Sequence, residues 1–165
     1  MVDRMKEYLK DIEYMECVKD ILCSDIFKKT DEFVQHGSTS TMEHSIAVSY
    51  TTYSVCKKLN LNYKSAARAA LLHDFYLYDW HRPVKETGAF LHGLTHPFKA
   101  AKNAKKYFNI TNMEAGMIKT HMFPLTPLPP LSPEGWVLTM ADKSVSINEI
   151  IKNMKKITRT GEGAV

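Results

Sequence analysis

Apolar residues recur along almost the whole chain at the three-to-four spacing of an amphipathic helix, and no stretch reads convincingly as a strand. Over residues 2–23, Met5, Tyr8, Leu9, Ile12, Met15 and Leu22 form one stripe with charges opposite. Ser24-Asp25 can cap a short second helix ending near Gln35-His36-Gly37, and the polar run 37–41 reads as a loop. Ser40-Thr41-Met42-Glu43 has capping-box spacing and predicts a helix of about five turns, with His44, Val48, Val55 and Leu59 on an inward stripe. Asn60-Leu61-Asn62 ends it. The next run, Ala66 to Leu72, is apolar on nearly every side, which predicts a helix through the middle of the fold carrying His73-Asp74.

Residues 79–94 lose the period and carry proline and glycine, so they read as the longest internal loop. Thr95-His96-Pro97 reads as a helix start, with the helix continuing to Phe108. Thr111-Asn112-Met113-Glu114 is a second capping box, opening a short helix that includes Met117 and His121. Five prolines from Pro124 to Pro133 mark a rigid connector. Ser132-Pro133-Glu134 starts the last long helix. Its main stripe is Trp136, Met140, Ser144, Ile147, Ile151 and Met154, with Leu138, Asp142 and Val145 on an adjoining line. The expected fold is all-α, a single-domain helical bundle: N-terminal helices over 1–36, the main body over 37–158 and a flexible tail over 159–165.

Composition narrows this picture without changing it. At 165 residues one core can bury about 70% of the unfolded surface. Cys17, Cys23 and Cys56 have no CxxC spacing and cannot all pair, which predicts reduced thiols and a cytoplasmic protein. The N-terminus is too charged for a signal peptide, and no apolar run approaches ~20 residues, so no membrane partner is expected. The net charge of +4 owes much to Lys152, Lys155, Lys156 and Arg159, which read as a solvated helix end and not as a surface for a nucleic-acid polymer. Homodimerisation is left open.

Candidate chemistry lies on the inward stripes. Five helices each present a metal-type donor: His44, His73-Asp74, His96, His121 and Asp142. Burying a carboxylate in so apolar a run is costly unless it is paired or binds metal. Imidazoles and carboxylates converging from separate helices are how helical bundles build core metal sites. The donor chemistry suits iron or manganese first and admits zinc, nickel, cobalt or magnesium, while the lack of thiolates disfavours a structural zinc site. Six donors exceed what one tetrahedral ion uses and suit two divalent ions sharing a carboxylate.

The order His…His-Asp…His…His…Asp resembles the HD-domain superfamily of metal-dependent phosphohydrolases over roughly residues 40–150. Glu43-His44-Ser45-Ile46-Ala47-Val48 is similar to its first-histidine helix, Leu71-Leu72-His73-Asp74 to its namesake motif and Ala141-Asp142-Lys143 to its terminal aspartate. The resemblance implies that His44, His73, Asp74 and Asp142 hold one ion. His96 and His121 match the extra histidines of dinuclear members, in which the counterpart of Asp74 bridges the ions. Two departures stand out. Leu77 occupies the position where many members carry a phosphate-binding lysine, and His121-Met122-Phe123-Pro124 replaces the motif of the branch that cleaves cyclic dinucleotides.

A hydrolase of a small phosphorylated molecule follows from this resemblance, a nucleotide or dinucleoside polyphosphate first. Alternatives are a mixed-valent di-iron oxygenase with the same ligands, or a silent nucleotide-binding module. Asp74 would share the ions that activate water. Arg82, Lys85 and Lys143 are the candidate phosphate contacts, with Arg82 also stabilising transition-state charge. His92 is the candidate leaving-group acid, whereas His36 and His81 read as surface histidines.

Overall fold

A computed structural model describes residues 7–81 and 91–160 of the chain. Among them it forms seven α-helices: α1 Ile12–Leu22, α2 Asp25–Lys28, α3 Thr41–Lys58, α4 Tyr63–Leu71, α5 His92–Tyr107, α6 Asn112–Thr120 and α7 Pro133–Thr160. The all-α expectation holds. One correction is a small antiparallel hairpin, β1 Val34–His36 with β2 Thr39–Ser40, in the segment read as helix end and loop. A 3₁₀ turn over Lys29–Glu32 precedes it. Gly37 takes φ +59° at the hairpin tip, where an added Cβ would strike the Asn153 side chain of α7. A turn needing left-handed backbone and so close an approach leaves room only for glycine.

The helix ends follow local capping chemistry. Asp11 accepts from the Tyr14 amide and starts α1. Both capping boxes form, Ser40 with Glu43 and Thr111 with Glu114. Helix α5 begins at His92, about a turn before the expected start at Thr95, so Pro97 lies inside the helix. His73 and Asp74 sit in the turn just beyond α4, and His121 is the C-cap of α6. These ligands therefore occupy helix ends, not the helical positions the periodicity suggested.

Helix α4 is the centre of the bundle. Ala66, Ala67, Ala69 and Ala70 are wholly buried, and their small side chains let α1, α3 and α6 approach it together. Arg68 interrupts the alanines and is held by the Asp20 carboxylate (2.6 and 2.9 Å) and the Cys17 carbonyl. Larger apolar groups close the gaps, among them Tyr14, Val18, Ile21, Phe27, Leu71, Phe75, Ile118 and Leu138. Ser49 ties three helices together, accepting from the Tyr14 hydroxyl at 3.0 Å and donating to the Ala67 carbonyl at 2.7 Å.

Three expected stripes are corrected. Helix α1 buries Tyr14, Cys17, Val18 and Ile21, while Ile12 is exposed. Helix α3 buries His44 and Val48 as expected, but its later turns bury Ser49, Thr52, Tyr53 and Cys56 and expose Val55 and Leu59. Among them Ser49 meets α4 directly, donating to the Ala67 carbonyl. On helix α7 the expected main stripe of Trp136, Met140, Ile147, Ile151 and Met154 faces outward, whereas the adjoining line of Leu138 and Asp142, with Ala141 and Glu149, faces the bundle. Met5 and residues 161–165 lie outside the described residues.

Ser49→Ala should destabilise the fold by about 2 kcal/mol in urea titration, since the Tyr14 hydroxyl and Ala67 carbonyl would both lose a buried partner.

Candidate metal centre

Five helices bring the six expected donors into one buried cluster. His44 comes from the first turn of α3, His96 from α5 and Asp142 from α7, while His73-Asp74 and His121 follow the last turns of α4 and α6. Two helices therefore end at the cluster, where the helix dipole favours positive charge. All six residues are at least nine-tenths buried.

Their atoms fall into two sets divided by one carboxylate. On one side, His44 Nε2 lies 3.2 Å from Asp142 Oδ1, and His73 Nε2 lies 3.7 Å from the same oxygen. Asp74 turns Oδ2 to this side, 3.3 Å from His73 Nε2 and 3.9 Å from His44 Nε2. On the other side, Asp74 Oδ1 lies 3.1 Å from His96 Nε2 and 3.7 Å from His121 Nε2. Two compact groups, His44-His73-Asp142 and His73-Asp74-His121, have donor atoms close enough to hold an ion.

The imidazoles are aimed by their other nitrogens. Nδ1 of His73, His96 and His121 lies 2.7, 2.9 and 2.7 Å from the carbonyls of Ala70, His92 and Ile118. A proton on each Nδ1 satisfies those contacts and leaves the Nε2 lone pair facing inward. His44 Nδ1 is held instead by the buried Glu149 carboxylate at 3.0 Å. The result is a set of inward lone pairs that face one another: His96 Nε2 and His121 Nε2 are 3.1 Å apart, and neither His73 Nε2 nor Asp74 Oδ1 makes a hydrogen bond. Facing lone pairs at such distances call for a cation between them, and the donors fit divalent ions.

Electrostatics agrees. Burial alone would keep His44 neutral, but its hydrogen bonds to Asp142 and Glu149 raise it to about 9. Burial likewise opposes charge on His73, yet the Asp74 and Asp142 carboxylates push it well above the imidazole range. Asp74 and Asp142 are held well below the carboxylate range despite burial, by His73 and His96 and by His44 and His73 respectively. His121 is pushed down to about 3 by burial and by His73 and His96. Without an ion, protons on His44 and His73 neutralise the carboxylates; an ion replaces them.

Two supporting residues were not anticipated. Gln35, on the hairpin, donates from Nε2 to Asp74 Oδ2 at 2.6 Å, while its Oε1 accepts from Tyr76 at 2.7 Å and Thr41 at 3.2 Å. Nothing in the sequence pattern marks a hairpin glutamine. Glu149 stands two helical turns after Asp142, and that spacing could have found it.

A cavity of about 550 Å³ opens on the cluster, lined by Asp74, His96, His121 and Asp142 and walled by Trp80, Met122, Pro124, Leu125 and Ile147. His92 and Lys143 line it as well. His92 stacks between Trp80 (5.1 Å) and His96 (4.6 Å), with the Tyr78 hydroxyl 2.9 Å from Nδ1. His81 is exposed beside Asp79. Arg82 and Lys85 lie outside the described residues.

Protein prepared without chelator should carry about two equivalents of metal, and His121→Ala should lose the second preferentially, which elemental analysis would show. Because protons on His44 and His73 compete with the ions, Mn²⁺ affinity should rise as pH climbs toward about 9. Calorimetry in buffers of different ionisation enthalpy near pH 7 should register release of about two protons.

The pattern defining the HD domain matches residues 41–145. No curated protein and no solved structure matches the chain. The matched span takes in most of the chain and every donor from His44 to Asp142, so the chain belongs to the HD-domain family.

Proposed function

We propose that this protein hydrolyses a phosphate ester or anhydride in a small molecule, a nucleotide or dinucleoside polyphosphate in particular. The observation that carries this reading is the division of Asp74, whose two oxygens face two separate histidine sets at the floor of the cavity. Divalent ions bound there would supply a nucleophilic water near neutral pH and positive charge against the phosphoryl oxygens. His44, His73, Asp74 and Asp142 would hold one ion, and Asp74, His96 and His121 the other.

The remaining roles belong to the cavity. Lys143 follows a ligand on α7 and lines the cavity, where its ammonium can meet the substrate phosphate. Arg82 and Lys85 keep the phosphate-contact and charge-stabilising roles expected from sequence. His92 serves the leaving-group side. Burial and the neighbouring His96 lower it to about 4, so it is a neutral ring near pH 7. The Tyr78 hydroxyl lies 2.9 Å from Nδ1; in the tautomer that accepts this hydroxyl proton, Nε2–H is the group that would donate to the departing oxygen. The apolar wall of Trp80, Met122, Pro124, Leu125 and Ile147 suits a flat organic body such as a nucleobase better than a bare sugar phosphate.

Reaction class is tested with a redox-inert metal. Protein stripped and reloaded with Mn²⁺ under strict exclusion of oxygen should release phosphate or nucleotide from a panel of phosphoesters and dinucleoside polyphosphates. Silence on that panel, with O₂ uptake by the iron form on a polyol or phosphonate, would instead establish the oxygenase chemistry open to the same ligands. On the best substrate, Trp80→Ala should raise KM about tenfold and change kcat far less, since the indole contacts the part of the substrate that does not react.

A further inference from the structure

Helix α7 has two apolar lines, and among the described residues the bundle uses only one. The other carries Trp136, Met140, Ile147, Ile150, Ile151 and Met154. Met140 and Met154 are 62% exposed and Ile147 57%. Leu125, Leu128 and Leu131 of the connector add exposed apolar surface, and Phe123 packs edge-on against Trp136 at 5.4 Å, joining connector to helix. With roughly half of each large side chain in water, these nine leave on the order of 800 Å² open, beyond the patch a typical monomer tolerates and close to one partner's share of a stable interface.

We propose that this face is a two-fold interface with a second copy of the chain, α7 crossing α7 in antiparallel orientation about Ile147. The pattern is self-complementary about that residue: Met140 then meets Met154, Ile150 meets Ser144, and Ile151 lies along the aliphatic stem of Lys143. Charge selects the orientation. Parallel pairing would set Lys143, Lys152 and Lys155 each against its own copy, whereas the antiparallel crossing separates them along a helix of roughly 42 Å. Ile147 and Lys143 also line the cavity, so the second copy would pass beside its mouth. This inference stands on the surface alone and does not depend on the chemistry proposed above.

Sedimentation equilibrium of the metal-loaded full chain should give twice the chain mass at micromolar concentration. Ile147→Glu and, at the far end of the helix, Met154→Glu should each weaken association at least ~100-fold while keeping the helical circular dichroism of the parent. On a Cys23→Ser background, which removes the exposed native thiol, Ile147→Cys should form an intermolecular disulfide under mild copper–phenanthroline oxidation, because the axis sets that residue against itself. Lys19→Cys, exposed on α1, should not. A monomer at every concentration overturns the proposal, including one that instead sediments with anionic phospholipid vesicles. A dimer that survives both glutamate variants, or one in which Ile147→Cys does not cross-link, overturns it equally.

Discussion

A carboxylate buried among four imidazoles governs this structure. Asp74 is nearly inaccessible to water, and so are the His44, His73, His96 and His121 rings that surround it. An isolated ionised carboxylate could not persist there. Positive charge on the facing imidazoles, or an ion between them, would offset that cost, and the outer nitrogens of the rings are tied to backbone carbonyls or to Glu149. The bundle serves this arrangement: five helices end or cross near one point, and the slim alanine faces of α4 let α3 and α6 pack close against it.

The supports divide into two kinds. Histidines at helix ends are aimed by their own helices, through carbonyls three or four residues earlier, and so owe little to the rest of the fold. His44 and Asp74 are aimed across the structure, by Glu149 from α7 and by Gln35 from the hairpin. Gln35 donates to Asp74 Oδ2 and leaves Oδ1 to the second histidine set, so the two donor sets are electronically unequal.

The family order of His and Asp was legible in the sequence because ligand identity is chemical and survives uncertainty about geometry. The cluster holds His44, His73, Asp74, His96, His121 and Asp142 as that order implied. The secondary-structure frame was less legible. His73 and His121 lie past their helices because a C-terminal residue continues the spiral for a residue or two, and periodicity cannot distinguish that from one more turn. The stripes of α1 and α7 were misassigned because hydrophobicity reports what avoids water, not what it avoids water against. On α7 the line holding Asp142 and Glu149 looks polar, yet it faces the bundle because the charges are satisfied there. The hairpin was missed because Val34-Gln35-His36 is too short to show alternation.

The walls of the cavity are extensions of its floor. Trp80 follows Asp74 by six residues, Met122 to Leu125 follow His121 directly, and Lys143, Ser146 and Ile147 share two turns with Asp142. Each recognition surface is thus tethered by a few bonds to a ligand, and ligands drawn together by an ion draw their walls with them. On the proposed function, loss of the ions would loosen the cavity walls as well as the floor they grow from.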